Sequence, residues 1–372
     1  MVLIYGHADF AGHVTPPGHP ERVERYGAVL AGVAGVAGLA GVTGVAGVTG
    51  LDGEAGLGGV TGLHGSAGIA SVAGIASVAG IASVAGAASV ADDAGSAGPG
   101  LAWRAAPLAD EADLLRCHPA AYLARVRAAV PQAGLVALDG DTVLSPGSWD
   151  AALRAVGGAC AAVDAVVAGG GRAFVACRPP GHHAETSTAM GFCLFGTVAI
   201  AAKRALQVRG LARVAVLDFD VHHGNGTQDL LWHEGRAMVV SSHQMPLYPG
   251  SGAATETGAL GQIVNLPLRP GSGGDAMRAV WGPALLRVAA FQPELILISA
   301  GFDAHRDDPL GGLAWDVADY GWLSRAICDL ADRVCGGRVV SCLEGGYDLP
   351  ALTASVAAHV TELGRQTGKA GR

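Results

Sequence analysis

The residues best suited to chemistry lie within residues 217–228, LDFDVHHGNGTQ. The preceding residues, 214–217, are apolar and rich in β-branching, and they run directly into Asp218, Asp220 and His222. Alternation along a strand would place those three side chains on one face. Two carboxylates and an imidazole at the end of a buried strand are costly to hide unless a cation or hydrogen bonds neutralise them, so a bound metal is the economical explanation. A mixed Asp and His set suits zinc and related divalent ions better than calcium or magnesium, which prefer oxygen donors throughout. The competing reading is a strand end with capped carboxylates and a satisfied histidine. Gly224 and Gly226 weigh against it, because they would let a loop wrap the site.

Further candidates occupy comparable positions. Residues 173–177 are followed by RPPGHHAETSTAMGFC with the tandem His182 and His183, residues 295–299 by AGFDAHRDDPLGG with Asp303, and residues 338–343 by EGGYD with Tyr347. Each is weak alone, since a strand-end Asp is more often a helix cap and paired histidines are often a surface feature. Together they define one chemistry. Asp220, His222 and Asp303 would give a metal three protein ligands and leave a position open to water. One of His182 and His183 would take that water's proton, with the other as acid or electrostatic helper. Asp218 and Asn225 would orient the two imidazoles. Tyr347, on a loop loosened by Gly345 and Gly346, would donate to the oxyanion of a tetrahedral intermediate. The reaction this predicts is metal-assisted hydrolysis of an amide.

These side chains need a scaffold that brings several strand ends to one place. Short β-rich runs at residues 2–5, 173–177, 213–219, 237–242, 263–266, 295–299 and 338–343 are mostly separated by helical patterns at 148–168, 198–207, 275–290, 317–335 and 350–363, with a first helix over 21–30 and one or two further helices over 111–127. Strands alternating with helices predict an α/β fold whose central sheet is mostly parallel and covered by helices on both faces. In such sheets ligands bind outside the carboxyl ends of the strands, where all the candidate residues fall.

The chain of 372 residues is 50% hydrophobic and 15% charged, enough for one large domain spanning 1–372. Residues 27–91 interrupt it with a low-complexity tract in which glycine recurs at every third position and IASVAG occurs three times in succession. Regular glycine makes the uncharged run 26–51 a poor membrane helix, the proline that collagen needs is missing, and the segment is short for a β-helix. We read it as an insertion that does not carry the chemistry. A net charge of -8 argues against a nucleic-acid backbone as partner. Seven scattered cysteines without a CxxC pair, together with the lack of a signal-peptide pattern at the N-terminus, predict a cytoplasmic protein with no membrane association. A homo-oligomer is compatible with this composition.

RPPGHHA, DFDVHHGNGTQ, SAGFDAHRDDPLGG and LEGGYD, supported by GHPERVER and LDGDTVLSPGSWDAA, closely resemble the zinc-dependent histone deacetylase family, in particular its class II and bacterial acetylpolyamine amidohydrolase-like branch. The resemblance covers residues 1–26 and 101–363 and implies the arginase/deacetylase fold. By it, Asp220, His222 and Asp303 are zinc ligands, His183 the general base, His182 its electrostatic partner or acid, and Tyr347 the carbonyl-polarising residue. Asp141 matches a rim aspartate that holds the substrate backbone, Gly191, Phe192 and Tyr248 match the substrate tunnel, and Arg25 matches an arginine behind the metal. Asp218, Asp220, His222, Ser241 and Ser242 fall at the positions of a structural potassium site. Iron(II) would accept the same ligands as zinc.

The resemblance implies acetyl-lysine or an acetylated small amine as substrate. Leu310 stands where polyamine-specific relatives carry an acidic gatekeeper, which favours acetyl-lysine. Asn225 is the class II choice, and Tyr347 the catalytically competent one. Gly196, Thr197 and Val23 depart from the usual pattern without removing a ligand or the base. Two rivals remain open at this point. One is an acetylpolyamine or other small N-acyl amide hydrolase, and the other is a binding protein that uses the pocket without turnover. A two-manganese ureohydrolase fits less well, because its second metal needs more carboxylates.

Overall fold

The computed structural model describes residues 1–36, 96–97 (backbone only) and 100–365; residues 37–91 of the low-complexity tract lie outside them. In chain order the elements are β1 (Val2–Gly6), α1 (Glu24–Val36), β2 (Ser96–Ala97), β3 (Leu101–Ala105), α2 (Glu111–Leu114), α3 (Ala120–Ala129), β4 (Val136–Ala137), β5 (Val143–Leu144), α4 (Ser148–Gly169), β6 (Arg172–Val175), α5 (Thr197–Gln207), β7 (Val214–Asp218), α6 (Asn225–Leu231), β8 (Ala237–Gln244), β9 (Ile263–Leu268), α7 (Gly274–Phe291), β10 (Leu295–Ala300), α8 (Val317–Val334), β11 (Val339–Leu343) and α9 (Leu349–Gly364).

The strand order is β2-β3-β1-β6-β11-β10-β7-β8-β9, parallel throughout except for the antiparallel β2–β3 pair. The central strands β6, β7, β10 and β11 are buried along their whole length, which is why each reads as an unbroken apolar run. Helices α4 and α5 pack together against β6 and β7, while α1, α9 and α8 form a second layer that α7 continues over β8 and β9. Helix α4 is long and apolar enough to cross a membrane by composition, yet most of that stretch is buried within the described fold.

Besides the two-residue strands β2, β4 and β5, three elements differ from the sequence-based expectation. Leu101–Ala105 is a strand paired in parallel with β1, where no strand was predicted. Helix α1 continues through the first residues of the low-complexity tract to Val36, because Gly32 lets it lie against α9: a Cβ there would overlap the Thr353 carbonyl and press on Val356. Helix α6 replaces the expected wrapping loop. Its Gly226 is pressed against the backbone of His183 and Ala184 with no room for a side chain, and the Thr227 amide donates to the His182 carbonyl at 3.0 Å.

One buried histidine ties the second helical layer to the sheet. His359 of α9 lies between Ser324 of α8 (Nδ1···Oγ 2.6 Å) and Ser341 of β11 (Nε2···Oγ 2.9 Å), ringed by Phe174, Phe219 and Phe302. Burial pushes its pKa down to about 3. An unfolded chain therefore takes up a proton below about pH 6.5 that the folded one refuses, so this contribution is complete above that pH and is lost as the pH falls towards 3. The loss is on the order of 3 kcal/mol by pH 4. His359→Gln is expected to be less stable than wild type at pH 7, with the gap narrowing in urea unfolding at pH 5 and 4. A pH-independent gap would show that His359 titrates in the fold as it does in the unfolded chain.

Candidate active site

All the predicted strand ends meet at one edge of the sheet. Strand β7 stops at Asp218, and the next residues bend rather than continue the pleat, so alternation along a strand does not account for the cluster. The turns are held by the carboxylates themselves. Asp218 Oδ1 accepts from the Asp220 amide (3.1 Å) and Asp220 Oδ1 from the His222 amide (2.9 Å). This arrangement separates the three residues: Asp218 turns to His182, while Asp220 and His222 turn to Asp303, which arrives from the end of β10.

Asp220, His222 and Asp303 offer donor atoms that all lie within 4.8 Å of one another, and all three residues are buried. His222 Nδ1 stands 3.1 Å from Asp220 Oδ1 and 3.2 Å from Asp303 Oδ2. Burial, then the neighbouring Asp220 charge, pushes the Asp303 carboxyl up to about 7. Two carboxylates crowded around one imidazole in a dry place make a donor set that a divalent cation relieves, so these residues fit a metal. Glycine backbone closes the floor. The Gly345 amide donates to Asp220 Oδ2 at 2.9 Å, and a Cβ on Gly301 or Gly345 would run into the Asp220 and Asp303 carboxylates.

The two imidazoles beside the triad have different partners. His182 Nδ1 meets Asp218 Oδ2 at 3.0 Å, whereas His183 Nδ1 meets Asn225 Oδ1 at 2.7 Å, and the rings lie 3.9 Å apart. Burial opposes charge on both. For His182 the Asp220 and Asp218 carboxylates overcome it and hold the pKa well above the usual histidine value. For His183 the burial is reinforced by His182 and His222, and its pKa falls well below. The surroundings thus push the two in opposite directions, His182 towards its charged form and His183 towards its neutral one.

Tyr347 lies across the site, its ring 4.7 Å from the Arg25 guanidinium and 5.8 Å from the Phe192 ring. Burial, reinforced by Asp303 and Asp220 against the opposing Arg25, raises its pKa well above 10, which keeps the phenol a hydrogen-bond donor. Arg25 is fully buried and donates to the carbonyls of Gly346 and Glu344, both at 2.6 Å, so it also fixes the chain on which Tyr347 sits.

The mouth is formed by Tyr248, 39% exposed with its ring 5.2 Å from that of His183, and by Phe192. Phe192 has φ 68°, a strained value for a large side chain, and its amide donates to Thr142 Oγ1. Gly191 (φ 55°) leaves no room for a Cβ, which would strike the His183 ring. The half-buried Asp141 holds His19 Nε2 on its carbonyl at 3.0 Å, and its carboxyl is raised first by burial and then by Asp139. Leu310 is partly exposed, its amide bound to Asp308 Oδ1. Ser241 sits opposite Asp218 in the β7–β8 register, but its hydroxyl meets His243 Nδ1 at 3.1 Å, and the Ser242 hydroxyl accepts from Trp281 Nε1.

Sequence reasoning assigned no role to two buried carboxylates that hold this site. Glu344 Oε2 accepts from the amides of Gly181 (2.6 Å) and His182 (3.1 Å), and Asp308 Oδ2 from that of Tyr347 (2.7 Å). Glu344 directly follows β11, so the strand-end rule that singled out Asp303 applies equally to it.

Against this geometry, the chain matches the histone deacetylase domain family over residues 87–363. It belongs to that family. It is 42% identical over 253 residues to the histone deacetylase-like amidohydrolase of Pseudomonas aeruginosa, covering 66% of this chain and 66% of that protein. It is also 42% identical over 260 residues to the chloroplastic histone deacetylase 14 of Arabidopsis thaliana, covering 66% of this chain but 62% of that longer protein. Among solved structures it is similar to acetylpolyamine aminohydrolase from Burkholderia pseudomallei, with a TM-score of 0.73, 27% identity, and coverage of 98% and 99% of the two chains. The fold is therefore the arginase/deacetylase fold of the histone deacetylases, with their bacterial amidohydrolase branch among the relatives.

Proposed function

We propose that this histone deacetylase family member is a zinc-dependent enzyme that removes acetyl groups from lysine in proteins or peptides. The observation that carries the reading is the pair of unequally partnered imidazoles beside the Asp220, His222 and Asp303 triad, His182 on the Asp218 carboxylate and His183 on the Asn225 amide. When bound there, zinc supplies Lewis acidity and a water activated for attack at neutral pH, and iron(II) would fill the same role. His183 Nε2 takes the proton of the attacking water and carries it to the departing amine. The charged His182 offsets the negative charge that develops, and the Tyr347 hydroxyl donates to the oxygen of the former carbonyl. Phe192 and Tyr248 enclose the acyl chain, and Asp141 at the rim holds the substrate backbone. A potassium ion beside β7 would stiffen the strand that carries Asp218, since Asp218 and Ser241 are neighbours in the sheet.

The domain in this reading runs over 1–372 with the tract at 27–91 as an insertion. Seven buried free cysteines support a reducing compartment, the cytoplasm. Acetylpolyamine is the second substrate to consider, because Asp139, Asp141 and Glu185 all place negative charge near Tyr248 at the mouth and would attract a cation. Leu310 argues the other way. Turnover of an acetyl-lysine peptide and of acetylated spermidine, compared on the zinc-loaded enzyme, decides between them. A higher kcat/KM for the peptide is expected; a preference for the polyamine would replace the lysine reading.

A further inference from the structure

Asn225 presents its oxygen rather than its nitrogen to His183. A primary amide offers both, and a flip costs little unless something holds it. Here Asn225 Nδ2 donates to Glu185 Oε1 at 2.8 Å and to Met190 Sδ at 3.4 Å. An ionised carboxylate only accepts, so the nitrogen must face Glu185 and the oxygen must face His183. A carbonyl oxygen 2.7 Å from His183 Nδ1 then requires the proton on Nδ1 and leaves Nε2 with its lone pair.

We propose that Glu185 is a positioning residue that sets the tautomer of His183 through the Asn225 amide, and so determines which ring nitrogen acts as base. The carboxylate is presented by a braced turn. The Glu185 amide donates to the Thr188 carbonyl (3.0 Å), and the Thr186 amide and hydroxyl both donate to Asp229 Oδ2 of α6, at 2.8 and 2.6 Å. Helix α6 begins at Asn225, so both ends of the Glu185–Asn225 contact are fixed to the same element. The catalytic consequence rests on the deacetylase reading; the tautomer itself does not.

The test uses zinc-loaded, full-length protein with ¹⁵N-labelled histidine, in which long-range ¹⁵N–¹H spectra report the protonated nitrogen of His183, assigned by its absence in His183→Gln. Wild type is expected to carry the proton on Nδ1. Glu185→Lys, whose ammonium only donates, turns the amide over and moves the proton to Nε2, with kcat lower by roughly 10- to 100-fold and KM and zinc content unchanged. Asn225→Asp sets two carboxylates face to face and is expected to lose activity, and adding Glu185→Gln, which supplies a donor, restores most of it. A His183 proton that stays on Nδ1 in folded Glu185→Lys, or an Asn225→Asp defect that Glu185→Gln does not relieve, overturns the proposal. Wild-type protein with the Nδ1 tautomer but no turnover of acetyl amides would overturn the deacetylase reading and leave this one standing.

Discussion

His183→Ala is expected to lower kcat by roughly 10²- to 10⁴-fold while KM and bound zinc stay near the wild-type values. The ring touches neither Asp220 nor Asp303 by hydrogen bond; its Nδ1 partner is Asn225, so removing it leaves the donor triad and its glycine floor in place. What disappears is the imidazole placed to accept the proton, with its Nδ1 tied to Asn225 and its Nε2 left with a lone pair. His182 is a poor substitute, because Asp218 and Asp220 hold it protonated, and a charged imidazole has no lone pair to offer. Steady-state kinetics with metal analysis on the same sample checks this. Loss of zinc in parallel with activity would make His183 a ligand or a fold element instead of the base.

Gly345→Ala is expected to abolish both metal retention and turnover in a protein that still folds. A Cβ there would stand 2.6 Å from Asp220 Oδ2 and overlap the Asp303 carboxylate, so two of the three donor groups must move. The backbone at Gly345 does not have the left-handed conformation that makes Gly346 (φ 119°) intolerant of any side chain, so the damage falls on the carboxylates. In wild type, chelation removes a ligand bound only by the native state, a loss of about 4 kcal/mol where free zinc had stood at 1,000 times its Kd. The variant should melt at the same temperature with and without zinc. A zinc-dependent melting temperature in Gly345→Ala would show that the triad is not the metal site.

Much of this site was legible in the sequence because strand ends in a parallel sheet are punctuated by a change from apolar to polar residues. The apolar run before Asp218, and those before Asp303 and Tyr347, mark the sheet edge without any knowledge of pairing. Long helices such as α4 and α9 were clear from their periodicity. What stayed hidden depended on distant contacts. Leu101–Ala105, LAWRA, is too short and mixed to read as a strand, and pairing with β1 and β2 makes it one. Asn225 to Leu231 opens with Asn-Gly-Thr, poor helix formers, and coils because Gly226 must fit against His183 and Ala184. The division of labour between Asp218 and Asp220 came from side-chain-capped turns, whereas strand alternation would have kept them together.

The direction in which α1 runs has a consequence for engineering. The helix starts beside the site, where Arg25 meets the carbonyls of Glu344 and Gly346, and travels alongside α9 as Ala28 and Gly32 meet Thr353 and Val356. Helix α9 ends near Val2, and Leu101 pairs with Val2, so the chain leaves α1 and returns into β3 on the far side of the sheet from Tyr347 and His183. Val36 and Gly100, where the described chain leaves α1 and enters β3, are thus natural graft points, places to install a reporter domain on the blind side of the catalyst.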